Sequence, residues 1–235
     1  MSHCLKRLWV APVIAAAITV ATAGSAVALT VIGTDGHDRI IGSRAADTID
    51  AKAGADVVFA LAGNDVITLG EGFDRVRAGD GDDIVDGGLG IDVVHGGRGA
   101  DHIATGEGND RVRAGDGDDV VDAGPGFDRV RGRFGNDTEG GGEGFDTLFG
   151  GPGSDTVSGG PGNDRLFARA TDGAPDTVNG DEGDDRITVR DGTRDIVTCG
   201  AGFDRVRADL QDAVAADCEW VRRHAPRPGY VNRSE

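Results

Sequence analysis

An aspartate stands at every ninth position of this chain from Asp38 to Asp164, fifteen in unbroken register. Glycine lies two residues before it in fourteen of the fifteen, Ala45 being the exception. Ile, Val or Leu lies two residues after it in fourteen, Glu139 being the exception. Carboxylates repeated in glycine-rich turns are oxygen-donor chemistry. They suit Ca²⁺, which takes about six to eight oxygens from carboxylates and turn carbonyls in flexible geometry, better than Mg²⁺, which wants a tight octahedron and keeps its waters. Zinc and iron are disfavoured by the lack of Cys or His near the turns; His37, His95 and His102 fall at non-equivalent repeat positions and read as surface residues. Acid–base catalysis is disfavoured too, because a general acid and a general base need dissimilar surroundings and these carboxylates have near-identical ones. Turn capping by aspartate alone would not demand the glycine pattern.

The expected cation ligands are therefore Asp56, Asp65, Asp74, Asp83, Asp92, Asp101, Asp110, Asp119, Asp128, Asp137, Asp146, Asp155 and Asp164. Asn64, Asp82, Asn109, Asp118, Asn136 and Asn163, each just before a repeat aspartate, are expected to assist as further oxygen donors. Turns with Phe73, Ile91, Phe127 or Phe145 at that place lose the option and should form weaker sites.

The elements that must position these carboxylates follow from the repeat unit, G-G-x-G-x-D-x-U-x with U aliphatic, as in residues 96–104 and 150–158. Its x-U-x triplet reads as a short strand with one side chain turned in and two turned out. Its glycine-rich half reads as a turn, where glycine supplies conformations closed to other residues. Two units make an 18-residue coil, so residues 18 apart should stack about 4.8 Å apart as parallel neighbours. Asp56, Asp74, Asp92, Asp110 and Asp128 then form one column, and Asp65, Asp83, Asp101, Asp119 and Asp137 the column opposite. One buried aliphatic in nine residues is a thin return against the entropy of ordering nine backbones. Stacked carboxylates about 5 Å apart also repel by roughly 3 kcal/mol per pair at an effective dielectric near 20. The roll is not expected to stand without a divalent cation between its loops.

The repeat resembles the RTX, or hemolysin-type, calcium-binding nonapeptide from Gly33 to about Arg207, and the match at this copy number is specific. The resemblance implies an all-β, right-handed parallel β-roll (a β-solenoid) with two repeats per coil and several bound Ca²⁺ ions. Such repeats often accompany catalytic domains of secreted proteases, lipases and polysaccharide epimerases. Neither an HExxH zinc helix nor a GxSxG elbow occurs here, and a non-enzymatic protein is expected. The family usually leaves the cell by a one-step route with an uncleaved C-terminal signal, from which the N-terminal segment of this chain departs.

That segment carries Lys6 and Arg7, an apolar run from Leu8 to Ala23, and small residues up to Ala28, and reads as a signal peptide spanning 1–28. A transmembrane anchor is the competing reading, but the run falls short of the roughly 20 residues needed to span a bilayer. With 41 Gly, 41 acidic residues, 5% aromatics and a net charge of −17, the composition does not suit an ordinary globular core. Periodicity argues against the alternative of a disordered acidic chain. Loss of the signal would bring the charge to −17 − 2 = −19, so cations are the expected partners. A secreted protein is expected, with no membrane span after cleavage and no nucleic-acid partner.

Cys4 would leave with the signal. Cys199 and Cys218 remain, an even pair expected to form a disulfide after export. The roll is expected over 29–207, a disulfide-linked cap over 208–225 and a disordered tail over 226–235. The cap is read as helix-compatible or turn-rich, with Trp220 covering the last aliphatic. After Asp164 the spacing becomes twelve, nine, ten and nine, at Asp176, Asp185, Asp195 and Asp204, with a bulge expected around Ala174 and Pro175. Arg133 in a glycine position and Glu139 in an inward one should either distort their coil or make Glu139 a ligand. Outward positions of alternate units place Arg39, Arg75, Arg77, Arg111, Arg113, Arg129, Arg131 and Arg165 on one sheet, and Asp50, Asp86 and Asp122 on the other. Two functions fit: a calcium-stabilised structural or surface protein, and a Ca²⁺-dependent module binding an anionic extracellular polysaccharide through the arginine face.

Overall fold

The computed structural model describes residues 27–169 and 172–225, together with the backbone of Ala17–Thr19. Most of the expected signal segment, Cys4 and the tail from Pro226 lie outside the described residues. Each aliphatic triplet forms a strand, and consecutive strands fall alternately on two parallel sheets of thirteen and twelve strands. Thus Arg75–Asp80 lies in the first sheet, Ile84–Gly90 in the second and Val93–Arg98 in the first again. The result is a parallel β-solenoid of about eleven turns. No helix among the described residues is long and apolar enough to cross a membrane.

Register follows the repeat. Val76 pairs with Val58 before it and Val94 after it, 18 residues each way, and Val85 pairs with Ile67 and Ile103 in the other sheet. A strict two-residue side-chain alternation buries every U residue, so Ile40, Val58, Val94 and Val130 line one wall of the core, and Ile49, Ile67, Val85 and Val121 the other. Past Leu166 the interval lengthens to 21 residues, as in Leu166 opposite Ile187, and then to 19, as in Ile187 opposite Val206. The extra residues are absorbed in turns, so the strands stay aligned.

At the C-terminal end the two alternatives for residues 208–225 divide: the stretch contains no helix but has turns at 210–211 and 216–217, between which and after which Ala213–Val214 and Trp220–His224 extend the two sheets as further parallel strands. One expectation is corrected there. Trp220 does not cover the core. It pairs with Arg205, whose side chain points outward, and is 44% exposed, while Val221 pairs with the buried Val206. Parity decides this, because neighbours along a strand face opposite sides. Cys199 and Cys218 are joined by a disulfide that ties this last coil to the one before it. Glu139 causes no distortion: it sits in register between Val121 and Val157 and is fully buried.

Candidate metal centre

The paired glycines of the turn are sterically required. A Cβ on Gly96 would stand 2.2 Å from Oδ2 of Asp101 and 2.6 Å from the Ala114 carbonyl oxygen. Gly97 has φ of +138°, and its Cβ would meet the Gly79 carbonyl at 1.9 Å. With no side chains in the way, turns of successive coils close to backbone contact, and the repeat aspartates fold inward between them.

The aspartates form two ladders, one at each edge of the roll, in the columns expected from the 18-residue coil. On one edge the backbone N–H of Asp56 donates to Oδ1 of Asp74, that of Asp74 to Asp92, and that of Asp92 to Asp110, at 2.6 to 2.9 Å. On the other, Asp65 donates to Asp83, Asp83 to Asp101 and Asp101 to Asp119 in the same manner. All thirteen expected ligand aspartates, Asp56 to Asp164, are buried, and the Oδ2 of every one lacks a hydrogen-bond donor. A buried, unpaired carboxylate oxygen is costly. A column of them fits a hard cation, whose charge would complete each oxygen. The ladders also run on through Asp176, Asp185, Asp195 and Asp204, buried with Oδ2 unpaired. Sequence reading placed these four within the roll but left them out of the ligand set because the spacing breaks, although the aliphatic residue two positions after each aspartate, as in Asp204–Val206, was a readable signal.

Burial pushes these carboxyls up. Asp83, Asp92, Asp101, Asp119, Asp128, Asp155 and Asp164 are raised to about 7, and Asp65, Asp74, Asp137 and Asp146 to about 6. At Asp92 burial is the main cause, the N–H of Asp74 pulls part of the way back, and the charges of Asp74 and Asp110 push up again. Glu139 is raised well above its ordinary value by burial first and then by the Asp137 and Asp155 carboxylates, the nearby Gly132 N–H pulling slightly back; that N–H donates to the Phe149 carbonyl, and neither oxygen of Glu139 has a hydrogen-bond partner of its own.

The six residues expected to assist are all exposed, and each spends an oxygen on a turn N–H one coil ahead. Asn64 accepts from Asp82, Asp82 from Ala100, Asn109 from Phe127, Asp118 from Asn136, Asn136 from Ser154 and Asn163 from Asp184, at 2.7 to 3.0 Å. These bonds run in the opposite sense to those of the buried ladders, so the turns that carry these six residues are fastened in both directions along the roll. Phe73, Ile91, Phe127 and Phe145 occupy the same place on one edge only and are exposed, with Phe127 and Phe145 rings 5.3 Å apart.

The first sheet carries the arginines outward. One column runs Arg75, Val93, Arg111, Arg129, and the neighbouring one Arg77, His95, Arg113. The second sheet carries Asp50, Asp86 and Asp122 in one column. Sequence reading missed the aromatic residues among the arginines: Phe59 lies under Arg39 and Arg77, and Phe149 under Arg129 and Arg131, at 5.2 to 5.8 Å. Their outward parity was present in the sequence as Phe two residues after a threonine or a valine.

A family model of the RTX calcium-binding nonapeptide repeat matches residues 32–67, 59–94, 95–130, 104–139, 140–173 and 171–206. Comparison with the curated proteins finds no match. Since those matches run through both aspartate ladders and cover well over half of the sequence, the chain belongs to the RTX calcium-binding nonapeptide repeat family.

Proposed function

We propose that this is a secreted, non-enzymatic structural or cell-surface protein, folded by Ca²⁺ ions bound between its glycine-aspartate turns. The observation that carries the reading is the row of buried, unpaired Oδ2 atoms repeated from coil to coil. Asp56 to Asp164 would hold the ions, with turn carbonyls completing the shell. The ion supplies positive charge where carboxylates crowd, and the polypeptide supplies spacing, a glycine backbone that admits close approach, and N–H groups that orient each carboxylate. Export links to this chemistry, because Ca²⁺ is plentiful outside cells and a roll that folds on meeting it would stay extended beforehand. Circular dichroism in EDTA and in millimolar Ca²⁺ tests the proposal: strand signal should appear only with the ion, and equal signal in both would sink it.

A second reading, binding of an anionic extracellular polysaccharide, draws support from the first sheet. Arg75, Arg77, Arg111, Arg113, Arg129 and Arg131 have no carboxylate within ion-pair distance among the described residues, whose ion pairs involve Lys52, Arg98 and Arg190 instead. Guanidinium groups stacked at strand spacing repel one another and suit carboxylates or sulfates presented along a chain. Surface solubility is the competing use of the same charges.

A further inference from the structure

Two turns near the C-terminal end, before Asp176 and before Asp195, are longer than the nonapeptide. The residue four before the ladder aspartate is glycine in most of the turns from Asp74 to Asp164, as at Gly97 before Asp101 and Gly115 before Asp119, but it is an aspartate in three successive later turns, Asp172 before Asp176, Asp181 before Asp185 and Asp191 before Asp195. The ten-residue spacing from Asp185 to Asp195 widens this turn, and a Cβ added at Gly192 would meet nothing within 4 Å, unlike one at Gly97 or Gly115. The turn is nevertheless held in place. Gly192 N–H donates to Asp209 Oδ2 at 2.7 Å, Gln211 Nε2 donates to the Thr193 carbonyl at 2.8 Å, and Thr193 N–H donates to Asp191 Oδ1 at 2.8 Å.

One carboxylate oxygen each from Asp176, Asp191 and Asp195 lies within 4.8 Å of the other two. No other group of three or more such ligand atoms occurs among the described residues, so the regular turns do not gather carboxylates this closely. Asp176 and Asp195 are almost wholly buried. Each takes a backbone N–H on Oδ1, from Asp155 and Asp176 respectively at 2.9 Å, and each has an Oδ2 with no donor. Opposite oxygens of one Ca²⁺ are about 4.6 to 5.2 Å apart, and those of one Mg²⁺ about 4.0 to 4.2 Å, so the observed limit admits three oxygens around a single Ca²⁺.

We propose that Asp176, Asp191 and Asp195 form a Ca²⁺ site of different make from the repeat turns, with three side-chain carboxylates on one ion. It goes beyond the repeat reading because Asp191 lies outside the nonapeptide ligand set. A third carboxylate raises the charge opposing the cation, so this site binds Ca²⁺ more tightly than the repeat turns.

Equilibrium dialysis with ⁴⁵Ca²⁺ on the full protein tests this by comparing wild type with Asp191→Asn, which keeps the oxygen that accepts from Thr193. The expected result is the loss of about one ion per molecule, from the tightest class, with the Ca²⁺-induced strand signal retained. Unchanged number and affinity in a folded variant would overturn the site. Should the variant fail to fold, wild-type crystals soaked in Tb³⁺ decide: anomalous density between the three carboxylates supports the site, and its absence with the repeat turns occupied refutes it. A wild type that takes up no Ca²⁺ at all overturns the repeat reading together with this one.

Discussion

The backbone N–H of Asp92 donates to Oδ1 of Asp110 at 2.8 Å, one coil further on, while Oδ2 of Asp110 is buried without a donor. One oxygen of this carboxylate thus fastens its own coil to the one before it, and the other is left for the cation proposed above. Under that proposal folding and ion binding share one carboxylate and are thermodynamically coupled.

Replacing Asp110 with Asn separates the two roles. The amide oxygen can still accept from Asp92, but the negative charge is gone. The Ca²⁺ midpoint for gain of strand signal should rise, roughly 2- to 10-fold, since affinity in oxygen sites tracks the number of ligand charges. Circular dichroism during Ca²⁺ titration measures it, and an unchanged midpoint would remove Asp110 from the ligand set.

The pH dependence in EDTA follows from the raised carboxyls. Folded values of about 6 to 7, as at Asp65 and Asp92, stand above the ordinary 3.8. Between those limits the folded state binds more protons than the unfolded one, so stability is present at low pH and is lost as pH rises from about 4 through 7. Metal-free protein should therefore gain strand signal on acidification from pH 8 to pH 5, and Ca²⁺ uptake at pH 6 should release protons. Loss of signal on the same acidification would contradict the burial of these groups.

Glu139 occupies a position that every other coil between Asp38 and Asp164 gives to an aliphatic residue. Both its oxygens are buried and unpaired, so Glu139→Val should stabilise the Ca²⁺-loaded protein, by about 1 to 3 kcal/mol at neutral pH. Chemical denaturation in saturating Ca²⁺ reads this directly. Destabilisation would mean that Glu139 has acquired a partner when the ion is bound.

The regular coils were legible in the sequence because one short unit fixes strand, turn and register at once: the glycine pair dictates the turn, the aliphatic residue the inward face, and the period the stacking partner. The end of the roll was less so. Val206–Val221 and Val197–Val214 pair across 15 and 17 residues, where no nine-residue count survives, and only the three-dimensional ladder reveals that Val221 and not Trp220 faces inward. Asp191 escaped notice for a related reason. Its meaning depends on Asp176, which the lengthened turns bring beside it from an adjoining coil.

The Cys199–Cys218 bond closes an interval of nineteen residues and should contribute roughly 3 kcal/mol by the chain-entropy model. Cys218 lies between the last two strands, and so its loss should loosen the end of the roll first. Hydrogen exchange on Cys199→Ser/Cys218→Ser is expected to speed up over 196–224 while 57–130 stays protected. Uniform acceleration along the chain would show instead that the roll opens as one unit.

The arginine face gives the last prediction. Arg75, Arg77, Arg111 and Arg113 stand on two adjacent columns, separated along the roll by Val93 and His95. Burial lowers the pKa of His95, and Arg113 and Arg77 lower it further, so the imidazole resists adding a positive charge to the arginine columns. None of the four arginine side chains takes part in an ion pair among the described residues; Arg75 and Arg111 meet the aspartate ladder only through backbone N–H groups, which donate to the Asp56 and Asp92 carbonyls and survive substitution, and Arg77 rests on Phe59. Replacing all four with Gln should leave the Ca²⁺ midpoint and the strand signal unchanged. If the face binds an anionic polysaccharide, wild type in millimolar Ca²⁺ should be retained on a sulfated or uronate matrix and released by salt, since exposed charge pairs are screened within about 10 Å at 0.1 M. The variant should then pass through unretained. EDTA should release wild type as well, because columns of arginine exist only while the coils are stacked. Retention that persists in the quadruple variant would move binding to another surface, and a wild type that never binds would leave these arginines the task of keeping an acidic roll soluble.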